Sequence, residues 1–209
     1  MNQGAEETSP TVFVVDDDPG VRESIRWLLE SVDLSVADYG NPQDFLDEFR
    51  PERPGCLLLD IRMPAMSGLD LQERLEELEA DLPVVFITAH GDVPMAVRAM
   101  KSGALDFIEK PYNAQHLIEI VQHAIDVDRR RREEGRQKTD LAQHLERLTP
   151  RELEVARLVC KGHSNKGIAN ELGLSPKTVE VHRGRVMAKM DANSTAELVQ
   201  MMIQAGVDC

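Results

Sequence analysis

Two adjacent carboxylates, Asp16 and Asp17, follow the apolar run Val12-Phe13-Val14-Val15. Three more short apolar runs end in groups that can do chemistry. Leu57-Leu58-Leu59 ends in Asp60, Val84-Val85-Phe86-Ile87 ends in Thr88, and Phe107-Ile108-Glu109 ends in Lys110-Pro111. Side-by-side carboxylates repel and call for a cation. A hard divalent ion such as Mg²⁺ (or Mn²⁺) takes oxygen ligands and keeps water. Asp17 and Asp60 are expected to bind such an ion directly, Asp16 through a water, and the backbone carbonyl of Arg62 to complete the set. One Asp60 oxygen is then left to attack a phosphoryl group and form an acyl phosphate. Lys110 and the ion would neutralise charge on the transferring oxygens, and Thr88 would donate its hydroxyl to the product. Taken singly, each residue has a plainer role as a helix cap, a strand residue or a solvated base. Their coincidence at strand ends favours the chemical reading.

The elements that would hold these groups follow from periodicity. Strands are expected at 12–16, 34–38, 56–60, 83–88 and 106–109, with amphipathic stretches between them. Pro19 after Asp18 and Pro42 after Asn41 mark helix starts. Strands alternating with helices imply βαβ units and a parallel sheet. The expectation is a doubly wound, flavodoxin-like (βα)5 α/β domain at 10–126, with the strand carboxyl ends gathered in one crevice. A charged stretch at 127–145 contains Arg129-Arg130-Arg131-Arg132. It is expected to be a solvated, helical linker, with a nucleic-acid-binding arm as the sharper alternative.

The remaining segment, 146–209, has no strand pattern. Thr149-Pro150-Arg151-Glu152 spells a capping box, and four helices are expected at 150–161, 165–172, 176–190 and 195–205. Gly173 and Ser175-Pro176 make a tight turn between two of them, a helix-turn-helix. On the second helix Val179, Val186 and Met190 fall on the core side, and Lys177, Val181, Arg185 and Lys189 form an i, i+4 stripe. That stripe suits a DNA groove. Thr178 and Val181 would meet base edges or thymine methyls, and Lys177, Arg185, Lys189, Asn165 and Lys166 would hold phosphates. His182 either packs under the helix or donates to a phosphate.

Charge supports two halves with different partners. The net charge is −13, but residues 1–128 carry nine basic and 26 acidic side chains, while 129–209 carry 15 and 11. Aromatics at 4% suggest aliphatic cores. No apolar run approaches a membrane span, no signal peptide is visible, and Cys56, Cys160 and Cys209 lie far apart. A cytoplasmic protein with free thiols and no membrane partner is expected.

Residues 10–125 resemble the receiver domain of bacterial two-component response regulators, through Val-Val-Asp16-Asp17-Asp18, Leu-Leu-Asp60-Ile-Arg-Met-Pro64-Ala-Met-Ser-Gly68, Ile-Thr88-Ala-His-Gly91 and Phe107-Ile-Glu-Lys110-Pro111. Residues 146–209 resemble the LuxR-type helix-turn-helix domain, through Leu148-Thr-Pro-Arg-Glu152, Gly162-His-Ser-Asn165-Lys166-Gly-Ile-Ala169 and Ser175-Pro-Lys177-Thr178-Val179-Glu-Val-His182. Together they are similar to the NarL/FixJ family, on its FixJ-like branch. The resemblance implies that Asp60 is the phosphoacceptor, that Asp16 and Asp17 are the acidic pair, and that Lys110 contacts phosphate before a cis Pro111. It makes Thr88 and Phe107 the switch residues. Phe107 replaces a tyrosine common in receivers and so has no hydroxyl to bond. The implied partners are a sensor histidine kinase, double-stranded promoter DNA, a second copy of the chain on phosphorylation, and RNA polymerase. The final helix, near Ala196 to Ile203, is implied in dimerisation, and activation is the implied direction of control. Two further readings remain at this level. A phosphohydrolase is disfavoured by Arg62, where such enzymes place an acid, and a constitutive DNA-binding protein with a vestigial receiver is disfavoured by the full acidic set. Arg62 and His90, each two positions beyond a pocket residue, are expected to tune the lifetime of the acyl phosphate.

Overall fold

The computed structural model describes residues 9–89 and 93–207, and these divide into two compact units with the boundary after Arg132. The first unit is built on β1 (Thr11–Val15), β2 (Ser35–Tyr39), β3 (Gly55–Asp60), β4 (Val84–Thr88) and β5 (Asp106–Glu109). They form one parallel sheet in the order β2-β1-β3-β4-β5. Alternation along the strands sorts their side chains onto two faces. Val12, Val14, Leu58, Val85 and Ile87 pack with Ile25 and Leu29 of α1 (Pro19–Glu30) and with Leu117, Val121 and Ala124 of α5 (Ala114–Glu146). Phe13, Val15, Leu57, Leu59 and Phe86 pack with α2 (Pro42–Glu48), α3 (Gly68–Glu77) and α4 (Val93–Lys101). Both faces of the sheet are covered, so its inner strands β1, β3 and β4 read as near-continuous apolar runs.

The helix starts follow local chemistry. Asp18 caps α1, accepting from the backbone N–H of Gly20 and of Val21, and Asn41 caps α2 by accepting from Asp44. Ser67 and Asp70 form a reciprocal capping box on α3. Strand β1 ends one residue earlier than periodicity suggests, because the Asp16 carboxylate takes the N–H of Asp18 at 2.9 Å and turns the chain. Gly55 permits close strand approach: its φ is +150°, and a Cβ there would lie 1.8 Å from the carbonyl oxygen of Thr11.

The charged stretch after residue 126 departs from expectation. It is helical, but its first part belongs to the α/β unit and is not solvated linker. Asp128 is buried, accepts from the Gly55 N–H at 2.9 Å and pairs with Arg132. Arg132 in turn donates to the carbonyls of Pro51, Glu52 and Arg53. Arg129 pairs with Asp126 and Arg131 with Asp81. Guanidinium groups engaged in this way satisfy loop carbonyls and acids of their own unit, which argues against a nucleic-acid arm here.

The second unit is all helical. Its core joins Leu141 of α5 to α6 (Pro150–Cys160), α7 (Asn165–Leu172), α8 (Pro176–Lys189) and α9 (Thr195–Gln204) through Val155, Ile168, Val179, Val186, Leu198 and Met202. Thr149 and Glu152 close the expected capping box, and Gly173, at φ +66°, ends α7 before Ser175 caps α8. Among the described residues no helix is long and apolar enough to cross a membrane.

Candidate phosphoacceptor pocket and nucleic-acid interface

In the sheet order β2-β1-β3, consecutive strands lie on opposite sides of β1, and the crevice falls beyond the carboxyl ends of β1 and β3. Asp16 and Asp60 stand there. A cavity of about 210 Å³ is lined by Asp16, Asp17, Asp60, Arg62, Thr88 and Lys110 among others. The Lys110 ammonium lies between two carboxylates, 2.6 Å from Asp16 Oδ2 and 3.2 Å from Asp60 Oδ1. The other Asp60 oxygen accepts from the Arg62 N–H at 2.8 Å. Thr88 is buried at the end of β4, and its carbonyl accepts the Lys110 N–H at 2.8 Å, which fixes the base beside the acids. The Lys110–Pro111 bond is cis. Phe107 is half-buried against the α2–α4 face of the core.

The electrostatics leave Asp60 unsettled. Burial pushes its carboxyl above the ordinary range, Lys110 opposes that, and the neighbouring Asp16 charge adds to the rise. Burial alone would push Lys110 down, but its hydrogen bond and ion pair with Asp16, then with Asp60, carry it above the usual lysine value.

The expected carboxylate triad is not closed. Among the described residues no three His, Cys, Asp or Glu side chains stand close enough together to hold an ion by themselves. Asp17 is exposed at the rim, and both Asp16 oxygens are taken, by Asp18 N–H and by Lys110. The donor set still fits a hard, water-keeping cation, since it is all oxygen and carries excess negative charge around one lysine. The side chain of Arg62 is exposed, and His90 lies outside the described residues.

Sequence reasoning missed Arg22. Its guanidinium donates to the Asp16 carbonyl at 2.7 Å and to Asp38 at 3.2 Å, bracing the turn that carries the acidic pair. No local pattern announces it, because Asp38 lies on β2, 16 residues away.

On the helical unit, Lys166, Lys177, Thr178, Val181 and Arg185 are exposed, Val181 at 49%. Lys189 departs from its expected phosphate-holding role. Its ammonium bonds Glu152 Oε2 at 2.5 Å, so a buried acid of α6 takes the charge inward. That contact, with the Thr149 N–H, holds the Glu152 carboxyl down to about 2. His182 is half-buried, and its Nδ1 is buried without a hydrogen-bond partner, which matches packing under the helix better than phosphate contact. Asn165 is half-buried and bonded to Arg183, a residue the sequence did not single out.

A doubly wound α/β unit with an acid–lysine crevice, followed by a helix-turn-helix unit, defines a response regulator that acts on transcription. The family of the response regulator receiver domain matches residues 12–122, and that of the bacterial regulatory proteins of the luxR family matches 146–202. The chain belongs to the NarL/FixJ-type response regulators. It is 46% identical over 200 residues to nodulation protein W of Bradyrhizobium diazoefficiens, covering 96% of this chain and 88% of that protein. It is 44% identical over 199 residues to the transcriptional regulatory protein FixJ of Azorhizobium caulinodans, covering 94% and 93%. The solved response regulator StyR matches at a TM-score of 0.88 and 45% identity, covering 94% of this chain and 99% of that one. The chain is therefore a transcription factor with a receiver and a LuxR-type DNA-binding domain, and not an enzyme of the ordinary kind.

Proposed function

We propose that Asp60 accepts a phosphoryl group from a sensor histidine kinase, and that the modified chain dimerises and binds promoter DNA. The observation that carries this is the shared lysine: Lys110 stands within 3.2 Å of Asp60 while paired more tightly to Asp16. An Asp60 oxygen forms the new O–P bond as the P–N bond of the kinase phosphohistidine breaks, and the electron pair of that bond stays on the imidazole. Lys110 balances charge on the phosphoryl oxygens. The Thr88 hydroxyl donates to one of them. Asp16, Asp17, Asp60 and the Arg62 carbonyl would hold Mg²⁺ or Mn²⁺, which supplies positive charge to the carboxylates and to the transferring oxygens. Phosphorylation adds a charge of about −1.5 to −2. Thr88 moves toward it, Phe107 repacks in the space vacated, and the face made by α4, β5 and α5 changes. Phe107 acts by volume alone, having no hydroxyl.

In the dimer α8 enters the major groove. Thr178 and Val181 read base edges, while Lys166, Lys177, Arg185 and Asn165 hold phosphates, and RNA polymerase is the downstream partner in activation. Acetyl phosphate, sedimentation and footprinting test the scheme together. Wild type should take up phosphate with Mg²⁺, dimerise and protect DNA more strongly. Asp60→Asn should do none of these, and an Asp60→Asn chain that still takes up phosphate and responds would overturn the assignment.

A further inference from the structure

Arg183 lies on α8 between Val181 and Arg185 in sequence, on the side of the helix away from the groove-facing stripe, and it does not point its charge at an acid. Its Nη1 donates to Asn165 Oδ1 at 2.8 Å and its Nη2 to Thr195 Oγ1 at 3.2 Å. Asn165 is the first residue of α7 and Thr195 the first of α9. One guanidinium thus joins the start of two helices to the helix between them. Among the described residues no carboxylate forms an ion pair with it.

The direction of the first bond matters chemically. A guanidinium has five donors and no acceptor. It can meet only the carbonyl oxygen of an asparagine amide, so the orientation of Asn165 is forced by its partner and not by convention. With Oδ1 turned to Arg183, the amide is oriented with its Nδ2 donors away from the guanidinium, and among the described residues they bond to nothing else. A side chain that would otherwise present either end to a ligand is fixed to present its donors. Phosphate oxygens accept and do not donate, so that is the polarity a backbone contact needs.

We infer that Arg183 is a positioning residue: it locks the Asn165 amide as a hydrogen-bond donor to a DNA phosphate, without itself touching DNA. The inference rests on the reading of α8 and the start of α7 as the DNA face. Lysine is a poor substitute, because an ammonium on a flexible stem lacks the fixed planar geometry that aims an N–H at Asn165.

Because phosphate contacts are blind to sequence, the probe need not be the natural operator. Phosphorylated full-length chain is titrated against a fluorescein-labelled, mixed-sequence duplex about three helical turns long, over a range of salt. Asn165→Ala is expected to weaken binding about tenfold, the size of one lost charge-assisted bond. Arg183→Met should weaken it by a similar factor with an unchanged salt slope, and the double variant should be no weaker than Asn165→Ala alone. Thr195→Ala, which removes the other bond of the same guanidinium, should bind as wild type. A slope reduced by about 0.9 in Arg183→Met would make Arg183 a direct phosphate contact and overturn the inference. Additive losses in the double variant, or a weakened Thr195→Ala, would reduce Arg183 to a structural tie and overturn it as well. If ellipticity shows Arg183→Met unfolded, Arg183→Lys decides: weaker binding supports the inference, and wild-type binding defeats it. Wild type failing to bind the duplex would sink the DNA reading itself, whereas a weak Asn165→Ala beside a normal Arg183→Met would sink only the role of Arg183.

Discussion

Each unit of this chain buries acid against a lysine, two carboxylates sharing one in the receiver and one carboxylate with its own in the helical unit, and the two arrangements settle in opposite ways. In the receiver, Asp60 meets Lys110 at 3.2 Å, but the lysine lies closer to Asp16, at 2.6 Å. In the helical unit, Glu152 has Lys189 to itself at 2.5 Å and also accepts the Thr149 N–H at 2.9 Å. Burial dominates at Asp60 and its carboxyl is pushed up, whereas the Lys189 hydrogen bond dominates at Glu152 and its carboxyl is held down to about 2. A shared cation leaves residual negative charge in a crevice open to a ligand. A dedicated cation cancels its partner and closes a cap. The same pairing of acid and lysine therefore builds a reactive site in one place and a structural joint in the other, and the number of acids competing for the lysine decides which.

Removing each lysine breaks the comparison most sharply. Lys110→Met strands two carboxylates in one crevice and should cost the receiver about 3 kcal/mol, the range for breaking a buried pair. Native-state hydrogen exchange of the β1 and β3 amides reads this locally, and a loss smaller than that of Lys189→Met would reverse the ranking. Next in size, Glu152→Gln removes the charge-assisted bond to Lys189 while an amide oxygen can still accept from Thr149. A loss of about 1–2 kcal/mol is expected in the exchange of α6 and α8 amides. Smaller still, Asp60→Asn should stabilise the receiver by about 0.5–1 kcal/mol, since it relieves burial and repulsion by Asp16 at the expense of phosphate uptake. If Asp60→Asn instead left the receiver less stable than wild type, Asp60 would be as well compensated as Glu152.

Much of this was legible in the sequence because it is local or periodic. Strand positions follow from short apolar runs, and helix starts from Asp18, Asn41 and Thr149. The gathering of Asp16, Asp60, Thr88 and Lys110 followed from the topology of a parallel sheet. What escaped depends on where long side chains go. A helical wheel places Lys189 on the outward stripe beside Arg185, yet its flexible stem brings the ammonium back to Glu152, 37 residues away in sequence. Arg132 was read as solvated for the same reason, since nothing near it in sequence says that it meets the carbonyls of Pro51, Glu52 and Arg53. Arg183 was not singled out, because its partners, Asn165 and Thr195, are neutral and lie 18 and 12 residues away in sequence.

The subtlest distinction between the two carboxylates is their pH response. Glu152 is depressed from 4.5 to about 2 on folding, so the unfolded chain binds its proton first as pH falls. Its contribution is complete above 4.5, shrinks through the interval and is gone below about 2. Asp60 is raised from 3.8, so the folded chain binds its proton first. Its penalty is full above the folded value and vanishes below 3.8. Acidification should therefore erase the advantage of wild type over Glu152→Gln and, separately, erase its deficit against Asp60→Asn. Urea unfolding of the three chains from pH 7 down to pH 2, followed by ellipticity, measures both differences. They should converge toward zero from opposite sides, and the Asp60 difference should close at the higher pH, because its penalty is gone below 3.8 whereas the Glu152 contribution persists down to about 2. Two differences of the same sign, or a Glu152 difference that closes first, would show that Lys110 compensates Asp60 as fully as Lys189 compensates Glu152, and the contrast between a shared and a dedicated lysine would fall.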